Sequence, residues 1–370
     1  MRAIVIGCGV IGASVAAALA GRGADVTVLE ARRPGAGSSG ATLAWVNANA
    51  KRPRSYFDLN VAGMRAHCEL ARGGGDWFVR TGNLEWATDE TQRDNLRARV
   101  DQATEWGYQA KWMTRAEALA LEPDLRLPGD AEIVYFPEEG YCAPIPLLAR
   151  LLGAARDAGA VVVAGTAARS VRPEPGGVRV DLADGTTLAA DVAVSCTGRW
   201  TERLVASAGG SVPMLGVKGP GSKIASYLAE TTAVPARLSR VVISPALNIR
   251  PDGGGRLLMQ AADLDATADP AAPPSPSSPV AARLLARLGQ VLAGTEAAAI
   301  SSIRIGLRSV PADDLTVAGP LDPAGQVYVV ATHSGITLAP ALGPLVAAEI
   351  YGEPSPLLAD FRPGRFARSR

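Results

Sequence analysis

The 370-residue chain has four cysteines, two histidines and only 5% aromatic side chains. Cys8, Cys68, Cys142 and Cys196 are scattered, with no CxxC pair among them. That excludes a disulfide scaffold and suits small buried apolar residues in a reducing cytoplasm, the expected location. His67 and His333 are the only histidines. With no cysteine cluster beside them, no metal site is expected. Neither sign of charge is in excess: the formal net charge is +1, so nothing favours a nucleic acid or an acidic membrane as partner. No apolar run approaches the roughly 20 residues that a membrane helix needs. The chain leads directly into a strand, so no leader is expected. What is present is a 48% hydrophobic, 20% charged chain, ordinary for a soluble globular protein and long enough for roughly two domains.

The informative stretch comes first. Met1 is followed by RAIVIGCGVIGAS, and DVTVLE then reaches Glu30. Ala3 to Ile6 is short, apolar and partly β-branched, the pattern of a buried strand. Val10 to Ala20 is alanine-rich and predicts a tightly packed helix, and Asp25 to Leu29 a second strand. This strand–turn–helix–strand order is the context in which GxGxxG acquires meaning. Gly7 permits the sharp turn, Gly9 leaves room for a pyrophosphate, and Gly12 lets the helix lie against the strand. Val10 and Ile11 open the helix, whose free N–H groups and partial positive charge suit an anion. Glu30, followed by Ala31, is placed to accept ribose hydroxyls and disfavours a 2′-phosphate. The motif indicates a dinucleotide without choosing between FAD and NAD. Cys8, inside the turn, reads as a space-filler.

Further along, PGAGSSGA is a glycine- and serine-rich loop. TLAWVNANAKRP is compatible with extended chain, placing Trp45, Asn47, Asn49 and Lys51 at alternate positions. A helix is expected over Gln92–Trp106, another from about Pro146 to Ala158, and then a strand at Val161–Ala164. GGVRVDLADGTTLAA reads as a hairpin and DVAVSCTG as a strand. Residues 214–264 look β-rich, with a turn at Asp252–Gly255. DATADPAAPPSPSSP is a low-complexity loop. A helix should follow from Pro279 to about Ala293 with Ser278 as N-cap. SSIRIGLRSVP is a strand, and QVYVVATHSGITLAPALGPLVAAEIYG a strand, a turn and a long apolar helix. Dinucleotide-binding pieces thus fall at the start, middle and end, and this interleaving favours FAD.

Four stretches in this order resemble the D-amino-acid-oxidase family of flavoproteins, glycine and sarcosine oxidases above all. They are IGCGVIGASVAAALAGRGADVTVLE, GSSGATLAW, ADVAVSCTGRWTERL, and GLRSVPADDLTVAGPL with THSGITLAPALGPLVAAEI. The resemblance implies an α/β fold: a Rossmann-type FAD-binding domain interleaved with a mainly β (α+β) substrate-binding domain. The expected division is 1–44, 142–213 and 314–370 for FAD, and 45–141 and 214–313 for substrate. It implies FAD contacts at Ser38, Ser39 and Gly40, at Thr197 and Gly198, and at His333, Ser334, Gly335, Ile336 and Thr337. IRIGLRSVP carries no cysteine where sarcosine oxidases tether their flavin, so noncovalent FAD is expected. The helix opened by Gly335 and Ile336 would aim positive charge at the flavin's pyrimidine end.

The resemblance also implies that Arg308, in GLR, grips a substrate carboxylate; the alternative is a surface pair with Asp313 or Asp314. Arg250 is a second candidate. Lys51 is placed near the flavin, where a cation favours negative charge during oxygen attack, or else in solvent. Asn49 and Tyr227, with Tyr141 as alternative to the latter, complete the expected substrate contacts. The implied reaction oxidises a C–N bond of an amino acid or N-substituted glycine. Hydride passes to flavin, the imine hydrolyses, and O2 becomes H2O2. A small-molecule substrate is expected, and assembly as a homo-oligomer stays open. The principal rival is an FAD dehydrogenase that passes electrons to a quinone or carrier. THSGI stands where flavin monooxygenases have a GDAAH-like stretch, which argues against those, and an NAD dehydrogenase rests on the first motif alone.

Overall fold

A computed structural model describes residues 1–367. Its six-stranded sheet has the order Val317–Pro320, Val327–Ala331, Val192–Ser195, Arg2–Ile6, Asp25–Glu30, Val161–Ala164. All neighbours are parallel except the first pair. The strands are near-continuous apolar runs because helices cover a parallel sheet on its faces. The helix Val10–Gly21 crosses from the first strand to the second, and helices Pro144–Asp157 and Gly335–Ile350 pack beside it. The last of these buries Ile336, Leu338, Leu342 and Val346. Each such side chain contributes roughly 1.5–3 kcal/mol. The predicted hairpin is present, Gly177–Leu182 antiparallel to Thr187–Ala190, within a three-stranded sheet.

The second large sheet has eight strands, ordered Ile300–Leu307, Ala225–Thr231, Leu257–Gln260, Asn248–Pro251, Val241–Ile243, Asn83–Ala87, Glu132–Phe136, Lys111–Met113. One of its faces packs on helix Pro279–Val291 through Ala281, Leu284 and Leu288. Ser278 occupies that helix's N-cap, but its hydroxyl makes no capping bond. A further helix, Arg54–Arg72, lies across the start of Gly335–Ile350. A Cβ on Gly63 would stand 2.5 Å from the Thr337 carbonyl oxygen, so this close packing requires glycine. The expected extended run after Thr42 is reduced to Trp45–Val46, because a turn intervenes at Asn49–Ala50.

Candidate active site

A cavity of about 750 Å³ runs between the two large sheets. One arm is built by the glycine turn. Gly7 has φ +101°, a conformation glycine adopts without strain. A Cβ on Gly12 would sit 1.9 Å from the Gly7 carbonyl oxygen, so Gly12 serves the turn's packing and is not on the wall. Gly9, Val10 and Ile11 are on the wall. The loop 38–40 closes over them: Ser39 Oγ accepts the Val10 N–H at 3.1 Å, and Ser38 Oγ donates to the Leu307 carbonyl at 2.6 Å. Gly40 is off the wall, where a Cβ would stand 2.6 Å from the Gly35 carbonyl oxygen, which corrects its placement among the cofactor contacts. Glu30 accepts the Cys8 and Arg32 backbone N–H groups, both at 2.9 Å, and stands with Ala31 on the wall. Thr197 and Gly198 line it as well, Thr197 directly beside Gly7.

The other arm is lined by Asn47, Lys51, Ser226, Leu228, Gln260, Gly306, Arg308 and His333, with Ser334, Gly335, Ile336 and Thr337 at the junction. Those junction residues are held from behind. Tyr56 Oη and Ser334 Oγ are 2.7 Å apart, and His67 Nε2 donates to the Ile336 carbonyl at 2.8 Å. The N-terminus of helix Gly335–Ile350 therefore opens into the cavity with its first N–H groups available to an anion.

Arg308 does not pair with Asp313 or Asp314, which bind Arg365 and Lys223 instead. Its Nη1 donates to the Lys223 carbonyl at 3.0 Å and its Nη2 lies 3.5 Å from Asp265 Oδ2. Asp265 is buried and accepts from Ser226 Oγ, the Tyr227 N–H and Gln260 Nε2, each at 2.8 Å. It thus carries one end of Arg308 while its other lone pairs are occupied. Burial lowers the Arg308 pKa from its ordinary value, with Asp265 opposing. Burial pushes the Lys51 ammonium down to about 8, with Glu139 opposing. His333 is pushed down to about 4 by burial and then by Lys51 and Arg308, so it is neutral at physiological pH. Six cations, Arg32, Lys51, Arg169, Arg199, Arg203 and Arg308, line the cavity, and among the described residues Glu30 is its one carboxylate. Such a cavity takes anions.

The family described as FAD dependent oxidoreductase (DAO) matches residues 2–349. The chain belongs to that family. It is 28% identical over 357 residues to a glycine oxidase of Geobacillus kaustophilus, covering 93% of this chain and 91% of the relative. A glycine oxidase of Bacillus licheniformis is 27% identical over 364 residues, covering 95% and 93%. The crystal structure of the Geobacillus kaustophilus glycine oxidase superposes with a TM-score of 0.81 over 98% of both chains at 27% identity. An L-proline dehydrogenase from P. horikoshii shares the fold, with a TM-score of 0.85 at 19% identity over 100% of this chain and 98% of that one.

FAD is the cofactor of this DAO-family enzyme, and the cavity's donors and shape fit it. The glycine turn presents backbone without side chains, the cations match a pyrophosphate, and the volume lies within the range of ligand pockets. Three substrate-contact expectations need correction. Tyr227 points into the core of the eight-stranded sheet, its hydroxyl donating to the Thr267 carbonyl at 2.9 Å. Side chains alternate along a strand, so its neighbours Ser226 and Leu228 take the cavity instead. Arg250 is off the wall: its guanidinium is used by the carbonyls of Leu43 and Pro251 and by Asp252 at 2.8 Å. Asn49 is withdrawn by the turn at Asn49–Ala50 and binds Glu139 and Arg99. Sequence reading missed Ser226, Gln260 and Asp265, whose relation to Arg308 spans strands far apart in the chain. It also missed Trp200 with Arg32 and Arg199 at the Glu30 end; the tract GRWTER carried that signal in its charge and lone tryptophan.

Proposed function

We propose that this enzyme oxidises the C–N bond of an amino acid or N-substituted glycine, forming an imine that hydrolyses, with O2 as the electron acceptor. The observation that carries the reading is Arg308, held by Asp265 and the Lys223 carbonyl, with a free edge on the same wall as Lys51 and the helix start at Gly335. A planar guanidinium of this kind suits a carboxylate, and partial burial strengthens the pair. FAD, when bound, supplies the acceptor for the hydride. The chain's residues do the rest by placement. Arg308 fixes the carboxylate, Ser226 and Gln260 bound the space beside it, and the apolar Leu228 limits the substituent. Neutral His333 and a Lys51 amine that titrates near 8 leave the site able to accept a substrate amine in its neutral form.

Noncovalent FAD is part of this proposal, supported by the cavity's two cysteines, Cys8 and Cys196, both standing at the glycine turn. So is a division into an FAD domain of 1–44, 142–213 and 314–370, of which 368–370 lie outside the described residues, and a substrate domain of 45–141 and 214–313. The glycine oxidase relatives support an oxidase over a dehydrogenase. The test is anaerobic bleaching of the flavin by a panel of primary and N-alkyl amino acids, followed by peroxide release in air. Bleaching without peroxide would make it a dehydrogenase. No bleaching by any carboxylate-bearing amine would overturn the proposal.

A further inference from the structure

Glu139 lies between strands Glu132–Phe136 and Gly140–Cys142, fully buried and outside the cavity wall. Five donors converge on it. Oε2 accepts from Trp45 Nε1 at 2.9 Å and Asn49 Nδ2 at 3.1 Å. Oε1 accepts from the Asn49 N–H at 3.2 Å, the Ala48 N–H at 3.4 Å and Tyr108 Oη at 2.9 Å. A carboxylate with both oxygens free of hydrogen satisfies all five; an amide would set its own N–H groups against some of them. Four of the five donors belong to residues 45–49. The segment closes with the Lys51 N–H on the Ala48 carbonyl at 3.1 Å, and Trp45, Asn47 and Lys51 line the cavity.

The charged groups around Glu139 are few. Lys51 faces it from the segment's end, and its charge raises the Lys51 amine against burial. Arg99 reaches Asn49 Oδ1 at 2.9 Å and pairs with Glu85. Glu138, the preceding residue, pairs with Arg80. Burial in turn raises the Glu139 carboxyl to about 7.

We propose that Glu139 is a positioning residue: it clamps the Trp45–Lys51 segment and so sets the Lys51 ammonium in the active-site wall. A buried carboxylate serving the core alone would have no need to gather the donors of one wall segment. The proposal rests on Lys51 being a working group of the site, so its test includes a readout independent of turnover. The chain has four lysines, Lys51, Lys111, Lys218 and Lys223. Isotope-labelled reductive methylation followed by NMR resolves so few signals, and Lys51→Met assigns the one that matters.

Wild type, Glu139→Gln, Lys51→Met and the double variant are compared for flavin content, steady-state rates and, where Lys51 is present, amine titration. Flavin content is expected to hold in all. Glu139→Gln is expected to lower kcat/KM about tenfold or more, and the double variant to be no worse than the poorer single one. The Lys51 signal should titrate at lower pH in Glu139→Gln, because a negative neighbour is gone, and the alkaline limb of kcat/KM should move the same way. Tyr108→Phe removes one donor and keeps the charge. Its smaller loss should vanish in the Lys51→Met background, which decides the matter if Glu139→Gln does not fold. Independent, multiplicative losses, or a Lys51 titration indifferent to Glu139, would overturn the proposal. If the wild type oxidises no amine, the titration still decides it, and only the functional reading fails.

Discussion

His67 Nε2 lies 2.8 Å from the carbonyl oxygen of Ile336, across the contact between helix Arg54–Arg72 and the first turn of helix Gly335–Ile350. A carbonyl only accepts, so Nε2 carries a proton, and the lowered pKa leaves the ring neutral at physiological pH. Burial pushes the imidazole down to about 4. One helix thereby fixes the end of another where it opens into the cavity.

That relationship sets an acid dependence. The folded pKa of His67 lies below the unfolded value of about 6.5. Between these two pH values the unfolded chain binds more protons, so stability rises with pH through the window and is lost as pH falls from about 6.5 to 4. His333 acts with the same sign. Urea unfolding between pH 7 and 4.5 should show this loss, and His67→Gln should lose less across the same range. An equal slope in wild type and variant would mean that His67 is not the titrating group.

Gly9→Val should yield apoprotein. Even a Cβ on Gly9 would stand 2.9 Å from Ser39 Oγ, and the larger side chain would enter the space that the turn leaves for a pyrophosphate. Visible absorption of the purified variant is the measurement. Full flavin content would place the cofactor elsewhere.

Arg308→Ala should keep its flavin, since the glycine turn lies in the other arm, and should lose substrate binding. Truncating one partner of a buried charged pair costs about 2–5 kcal/mol. Taking tenfold per 1.4 kcal/mol, kcat/KM should fall by roughly 30-fold or more. Arg308→Lys should recover part of this, because an ammonium lacks the planar fork. Rapid anaerobic reduction of the flavin checks both, and wild-type saturation in Arg308→Ala would remove Arg308 from the substrate site.

Asp265→Asn tests the support behind Arg308. The substitution keeps the shape but turns one acceptor into a donor facing Ser226, Gln260 and Arg308. Leaving such buried groups mispaired costs about 1–3 kcal/mol of stability. KM for a good substrate should rise several-fold with flavin content intact, and a lower thermal midpoint should accompany it. A fall in midpoint with KM unchanged would leave Asp265 a purely structural role.

Much of this protein is local and could be read residue by residue. The turn of Gly7, Gly9 and Gly12, the acid at Glu30 and the apolar strands around them are specified within thirty residues by backbone sterics and burial. The hairpin at 177–190 follows from its own alternation and turn, and the arginine at 308 stood out by its motif. Which face a residue presents was decided elsewhere. Tyr227 and Ser226 are neighbours in one strand, and only the packing of helix Pro279–Val291 on one side of the sheet sends the tyrosine inward and the serine to the cavity. Asn49 kept its place in an alternating pattern on paper, but the turn at Asn49–Ala50 withdrew it to Glu139, 90 residues away. Arg250 is a cation whose charge was already claimed by backbone carbonyls and Asp252. Asp265 meets Arg308 across 43 residues. Such pairings depend on sheet register and loop closure, which bring distant residues into one low-dielectric space where donors and acceptors must be matched.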